Sequence, residues 1–245
     1  MNLNIPHFNI DKFQDNQHVI IFGNDKEINQ KLIKNLFYYK RSIENGVVCT
    51  QNPKRYPYVS KYSIYSYFHV NTITANQSKK QLILIDQCFN YPSSYSAIAK
   101  DIESNGKNTT VIYNINENTA LERTFTKNID WIFLFKNNYQ KFYQKCKNKL
   151  PELRVLKSIM DAIDENEECL IININSDQAL DKKVFWLKID DITTNFKCFK
   201  KTKSETETKT SGRTSRGTSG STSERTSGGI IMKAHERRKL RISCI

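Results

Sequence analysis

Short runs of apolar, largely β-branched residues recur along the chain, each bounded by polar positions: Val19–Phe22, Gly46–Thr50, Leu82–Ile85, Thr110–Tyr113, Trp131–Phe135 and Cys169–Ile174. Their length and composition predict strands, and their continuous apolar character predicts burial on both faces. Between them the pattern turns helical. Ile28, Leu32, Ile33, Leu36 and Phe37 share one face of a helix predicted over Glu27–Lys40. Further helices are predicted over Tyr95–Asn105 with Ser94 as its cap, over Asn138–Lys149, and over Glu152–Asn166 after Pro151. Strands that alternate with helices specify an α/β fold, with a mostly parallel central sheet covered by helices on both faces.

The pattern stops near residue 200. "KKTKSETETKTSGRTSRGTSGSTSERTSGG" is a run of Thr, Ser, Gly and charge in which "TSG" recurs at Thr210, Thr218 and Thr226. It has no apolar surface to bury, so it predicts a disordered tail. The chain therefore divides into a folded part, residues 1–200, and a basic tail, residues 201–245. The last piece, "IIMKAHERRKLRISCI", reads as a frayed terminus or as a short helix formed on binding.

Charge sharpens that division. The net charge is +13, and the tail holds 11 Lys and Arg against 4 Asp and Glu. A basic surface fits nucleic acid or another polyanion, and it equally fits lysines that merely solvate a surface. Six scattered cysteines without a C-x-x-C pair and four unclustered histidines give no zinc or disulfide pattern. Cys88 and Cys169, in or beside apolar runs, read as small buried hydrophobes. No apolar run has the length of a membrane span, and the N-terminus lacks the features of a signal peptide. These features predict a soluble protein that is not secreted.

Two stretches raise the question of nucleotide chemistry. "VIIFGNDKEINQKLIK" reads strand, turn, helix, the outline of a phosphate-binding loop. A P-loop needs G-x-x-x-x-G-K-[ST], whose backbone amides wrap phosphate, whose Lys bridges the outer phosphates and whose hydroxyl binds Mg²⁺. Laid from Gly23, the second Gly is Ile28, the Lys is Asn29 and the Ser/Thr is Gln30, while Asp25 and Glu27 add repulsive charge. The second stretch is "QLILIDQC". An apolar strand ending in Asp86 has the form of a Walker B strand, in which a second acid prepares the attacking water. Here that position is Gln87, and a strand also commonly ends in a turn-forming Asp.

The order of segments resembles that of the DNA-packaging ATPases of poxviruses and giant DNA viruses, in the FtsK/HerA-like branch of P-loop ATPases. The resemblance runs from about Val19 to Lys188. "LILIDQC" stands where that family has an apolar strand followed by Asp-Asp-Cys, and "ESNGKN" (Glu103–Asn108) resembles its Asn-Gly-Arg-His segment. "KNIDWIFLFKNN" (Lys127–Asn138) and "DENEECLIININ" (Asp164–Asn175) are similar to its later strand regions, and "KKVFW" (Lys182–Trp186) to its Val-Phe-Trp ending. The departures fall on catalytic positions: Ile28, Asn29 and Gln30 in the P-loop, Gln87 in Walker B, Asn114 or Asn116 nearest the polar sensor, and Thr126 beside Lys127 near the arginine finger. Only Gly23 and Asp86 match. Losing an arginine finger alone costs about 10³–10⁵ in rate.

Taken with these losses, the resemblance implies a P-loop NTPase-like fold with a degenerate nucleotide site, no catalytic residue and no cofactor. Such a chain is expected to act as a binding or assembly partner in DNA packaging. Its partners would be viral DNA, an active packaging ATPase or a second copy of itself, in the viral factory of the host cytoplasm or in the virion. An Arg123 or Lys127 offered to a neighbour's site belongs to the same reading. Two alternatives stand beside it. One is a divergent ATPase that binds ATP and Mg²⁺ through Asp86 and a displaced Lys26 or Lys31 and drives DNA translocation. The other is a basic nucleic-acid-binding protein, dominated by its tail. The Tyr- and Lys-rich "NPKRYPYVSKYSIYSYF" (Asn52–Phe68) reads either as a base-stacking surface or as a surface loop with an edge strand.

Overall fold

The computed structural model describes the chain except residues 1, 11–12, 24–25, 67–79, 88–94, 96, 101–107, 120, 122–125, 165, 177, 200–239 and 244–245. In chain order the regular elements are β1 (Asn2–Ile5), β2 (His18–Phe22), α1 (Lys26–Tyr39), β3 (Asn45–Thr50), β4 (Ile64–Tyr65), β5 (Gln81–Asp86), β6 (Thr109–Ile115), β7 (Trp131–Leu134), α2 (Tyr139–Cys146), α3 (Leu153–Asp161), β8 (Glu168–Asn173), α4 (Leu180–Lys183), β9 (Val184–Lys188) and β10 (Leu240–Ser243). All six strands read from the apolar runs are present. Residues 95 and 97–100 are helical; Ser94 and the remainder of that predicted helix lie outside the described residues.

An eight-stranded sheet runs in the order β4-β3-β5-β6-β2-β7-β8-β9. From β4 to β7 every neighbouring pair is parallel, and β8 and β9 add an antiparallel edge. Both faces are covered. Along β2, Val19 and Ile21 pack into the layer of α1, whereas Ile20 and Phe22 pack into the layer of α2 and α3. That two-sided burial is why these strands read as continuous apolar runs instead of alternating ones. Truncating a side chain such as Ile20 or Leu84 to Ala leaves a core cavity, at a cost of about 2–5 kcal/mol.

Two expectations change. The helix predicted to reach Asn166 ends at Asp161, because Ala162 N–H turns back to the Ile159 carbonyl and Glu168 Oε2 accepts the Asp164 N–H at 3.0 Å, closing the turn into β8. Within the segment read as a frayed terminus or a short helix, the described residues Leu240–Ser243 form β10, antiparallel to β1, with Leu3 opposite Ile242. The run Leu240-Arg241-Ile242-Ser243 has the alternation of a strand, short enough to be overlooked within a basic segment. Residues 202–237 lie outside the described residues.

One resembling segment, Lys127–Asn138, serves the fold at both of its ends. In "KNID", Ile129 is buried, and Asp130 Oδ2 accepts the His18 N–H at 2.7 Å, fixing the start of β2 beside β7. At the other end of β7, Asn138 packs against Gly23. A Cβ on that glycine would lie 2.7 Å from Asn138 Nδ2, so a larger residue there would have to displace the buried Asn138 side chain.

Candidate functional site

The carboxyl ends of β2, β6 and β5 are where a P-loop fold holds nucleotide, and they can be built from the residues upward. β2 ends at Phe22 and α1 begins at Lys26, so the connection is three residues, Gly23 to Asp25. A P-loop interposes G-x-x-x-x-G-K-[ST] between its strand and helix. Here the last three of those positions are already in the helix. Ile28 lies within α1 and is buried in the core beside Leu32, so its backbone is helical and not left-handed. Asn24 and Asp25 lie outside the described residues.

Asn29, at the Lys position, points inward and is buried. Its Nδ2 donates to the Gly23 carbonyl at 3.1 Å and to Asn114 Oδ1 at 3.1 Å. Asn114 Nδ2 donates in turn to Asp86 Oδ1 at 2.7 Å, and Thr50 Oγ1 donates to Asp86 Oδ2 at 2.9 Å. Thr50, Asp86 and Asn114 are register partners on three adjacent parallel strands and form a buried polar row across their ends. The row is tied at both sides: Asn52 N–H donates to Thr50 Oγ1, and Gln87 N–H to the Asn114 carbonyl.

These contacts account for the groups that would serve a nucleotide. Asn29 is a neutral amide already bonded to protein, and both carboxyl oxygens of Asp86 accept hydrogen bonds from protein. Asn29 Oδ1 is a buried acceptor with no hydrogen-bond partner among the described residues, an environment that disfavours a phosphate oxygen. The buried Tyr56 phenol lies beside Asp86; burial first, then the charge of Asp86, push its pKa upward and keep it protonated. The residues present do not fit Mg²⁺ and ATP held in the P-loop manner.

The remaining sequence-predicted positions separate. Gln87 follows Asp86 with a left-handed backbone (φ 49°), uncommon for a non-glycine residue. Gln30 is half-buried at its own place on α1. Asn114 joins the row, whereas Asn116 caps the next turn, its Oδ1 accepting from Asn118 N–H and Thr119 N–H. Lys31 pairs with Asp191 at 3.0 Å, and Lys26 is exposed at the start of α1. Thr126 and the exposed Lys127 are described; Arg123 and residues 103–107 of "ESNGKN" are not. Sequence reasoning missed Thr50 and the role of Asn29. The available signal was a polar residue closing each of three consecutive apolar strands.

Among the described residues no cluster of His, Cys, Asp or Glu could hold a metal ion, and no helix is long and apolar enough to cross a membrane. The cysteines described there are buried free thiols; burial pushes Cys49 and Cys198 up to about 12 and Cys146 up to about 11, so these thiols stay protonated. Cys88 and Cys244 lie outside the described residues.

No protein-family model and no curated protein sequence matches the chain. Solved structures do. The DNA-packaging ATPase B204 of Sulfolobus turreted icosahedral virus aligns with a TM-score of 0.51 at 16% identity, over 71% of this chain and 98% of B204. The genome-packaging NTPase B204 of Sulfolobus turreted icosahedral virus 2, solved with sulfate, aligns with a TM-score of 0.49 at 14% identity, over 72% of this chain and 98% of that one. At such identity the likeness is one of fold: the chain shares the P-loop NTPase-like α/β fold of B204.

Proposed function

We propose that this chain is a non-hydrolysing relative of the viral genome-packaging ATPases, acting as a binding or assembly partner in DNA packaging. The observation that carries the reading is the buried row Thr50–Asp86–Asn114 with Asn29, which fills the strand ends with the protein's own hydrogen bonds. A charge-assisted contact to phosphate is worth roughly 1.5–3 kcal/mol. Without the P-loop Lys, the Mg²⁺ hydroxyl and a loop of amides, several such contacts are lost together. The packaging role itself draws on the shared fold and on the order of segments. The divergent-ATPase alternative needs Lys26 or Lys31 to reach phosphate; Lys26 is exposed at the start of α1, and Lys31 forms a solvent-exposed ion pair with Asp191.

The test is calorimetric titration of the full chain with ATP and ADP, with and without Mg²⁺, alongside a turnover assay. The expected result is no binding below millimolar nucleotide and no turnover. Micromolar affinity that depends on Mg²⁺ overturns the proposal. The partner is tested by affinity capture from infected cells: an intact packaging ATPase, identified by its complete P-loop motif, is expected to accompany the chain.

A further inference from the structure

We propose that a groove at the β4 edge of the sheet binds single-stranded nucleic acid, with Lys54, Lys61 and Lys197 holding phosphates and Tyr62 stacking on a base. The proposal is independent of the nucleotide-site reading, since none of these residues belongs to the polar row.

The groove has a volume of about 720 Å³, within the range of roughly 300–1,000 Å³ usual for ligand clefts. Its floor is apolar: Pro53, Pro57, Val59 and Ile64 line it, with the edge of the buried Tyr56. Lys54 and Lys61 come from two short 3₁₀ turns, Pro53–Arg55 and Lys61–Ser63. Lys197 comes from the far end of the folded part and is held beside them by a hydrogen bond from its Nζ to the Pro57 carbonyl. The segments are joined by backbone as well: Cys198 N–H donates to the Tyr58 carbonyl at 2.8 Å, and Ser60 N–H to the Cys198 carbonyl at 3.1 Å. The three lysines therefore sit on a fixed frame.

Two features select the occupant. The first is charge. The described lining residues include three lysines and no Asp or Glu, and none of the three forms an ion pair among the described residues. The lysines elsewhere that face carboxylates, such as Lys31 and Lys40, are neutralised. An uncompensated basic groove attracts a polyanion. The second is the exposed aromatic ring. Tyr62 is 60% exposed, and Lys61 Nζ lies 5.1 Å from its centroid, so ring and cation form one surface. A duplex keeps its base faces stacked on one another and has none to offer a ring or an apolar floor. A single strand presents both free bases and phosphates, which such combined surfaces recognise without reading sequence.

The experiment is fluorescence anisotropy of the full chain with a labelled oligothymidine and with a blunt duplex of equal length, across a salt series. The wild-type chain is expected to bind the single strand in preference to the duplex. Replacing Lys54, Lys61 and Lys197 together by Ala is expected to lower the slope of log K against log salt by about 2, from roughly 0.7 per single-strand phosphate contact. Tyr62→Ala is expected to weaken binding about tenfold with the salt slope unchanged, and Tyr62→Phe to retain wild-type affinity, since the ring and not the hydroxyl stacks. Wild-type affinity and slope in all of these variants would mean that the basic tail carries the binding, and overturns the proposal. So does equal affinity for duplex with no effect of Tyr62→Ala, and so does a wild-type chain that binds neither oligonucleotide.

Discussion

The polar row across β3, β5 and β6 and the groove at the β4 edge belong to one sheet, and they differ in what their polar groups face. In the row, Thr50, Asp86, Asn114 and Asn29 are buried and bond to one another. In the groove, Lys54, Lys61 and Lys197 are exposed around an apolar floor. Polar groups that have found partners inside the protein are removed from ligand chemistry and become part of the fold. Polar groups left at the surface cost the fold little and remain available. The difference predicts opposite responses to mutation, and the row answers first.

Asp86→Ala should give the largest effect. It leaves Thr50 Oγ1 and Asn114 Nδ2 buried without their acceptor. At about 1–3 kcal/mol for each orphaned group, the expected loss is about 2–6 kcal/mol, read as a lower urea midpoint at unchanged m-value. If Asp86 instead served bound metal and nucleotide, the apo-protein would keep its stability and lose only ligand-dependent stabilisation.

Gly23→Ala comes next. The new Cβ would meet Asn138 Nδ2 at 2.7 Å, and Asn138 is itself buried. Overpacking of this kind costs about 1–3 kcal/mol. Removing the opposing side chain tests the cause: in the double variant Gly23→Ala/Asn138→Ala the loss should be smaller than the sum of the single losses. Strict additivity would mean that Gly23 is required for its backbone alone.

The sheet was legible because its information is local. Two-sided burial writes each inner strand as an apolar run, and all six runs correspond to strands. The elements missed in the main sheet are those with a weaker local signal: β4 is only two residues long, and β9 follows directly on α4. The candidate site was legible as a set of departures, at Ile28, Asn29, Gln30 and Gln87. What those departures do was not legible. That Asn29 reaches Asn114 depends on the three-residue connection after β2, and that Thr50 meets Asp86 depends on register between strands distant in sequence. Lys197 joining Lys54 and Lys61 is of the same kind, a proximity made by the fold.

The buried thiols give a smaller effect, with a definite sign. The folded-state pKa of Cys198 is raised by burial from 9.0 to about 12. A raised folded pKa means that the full contribution to stability is present below the unfolded value and is lost as pH rises from there toward the folded one. Stability should therefore fall between about pH 9 and 12, with each such thiol contributing roughly 1 kcal/mol of the loss by pH 10. Unfolding measured at pH 7, 9 and 10 should show this slope, and Cys198→Ala should reduce it. An unchanged slope in that variant would mean that the thiol is open to solvent.

The groove should show the smallest effect on stability. Lys54, Lys61, Tyr62 and Lys197 are exposed, and surface substitutions of this sort usually stay within about 0.5 kcal/mol. Replacing the three lysines by Ala is expected to leave the urea midpoint nearly unchanged while altering nucleic-acid affinity and its salt dependence. One contact could raise the cost: Lys197 Nζ reaches the Pro57 carbonyl and so links the end of the folded part to the groove. Lys197→Ala alone separates the two contributions. If its stability matches wild type while its salt slope falls, the lysine serves a ligand. If it unfolds with a loss comparable to that of Gly23→Ala, the lysine is structural, and the contrast between a sealed row and an open groove narrows to Lys54, Lys61 and Tyr62.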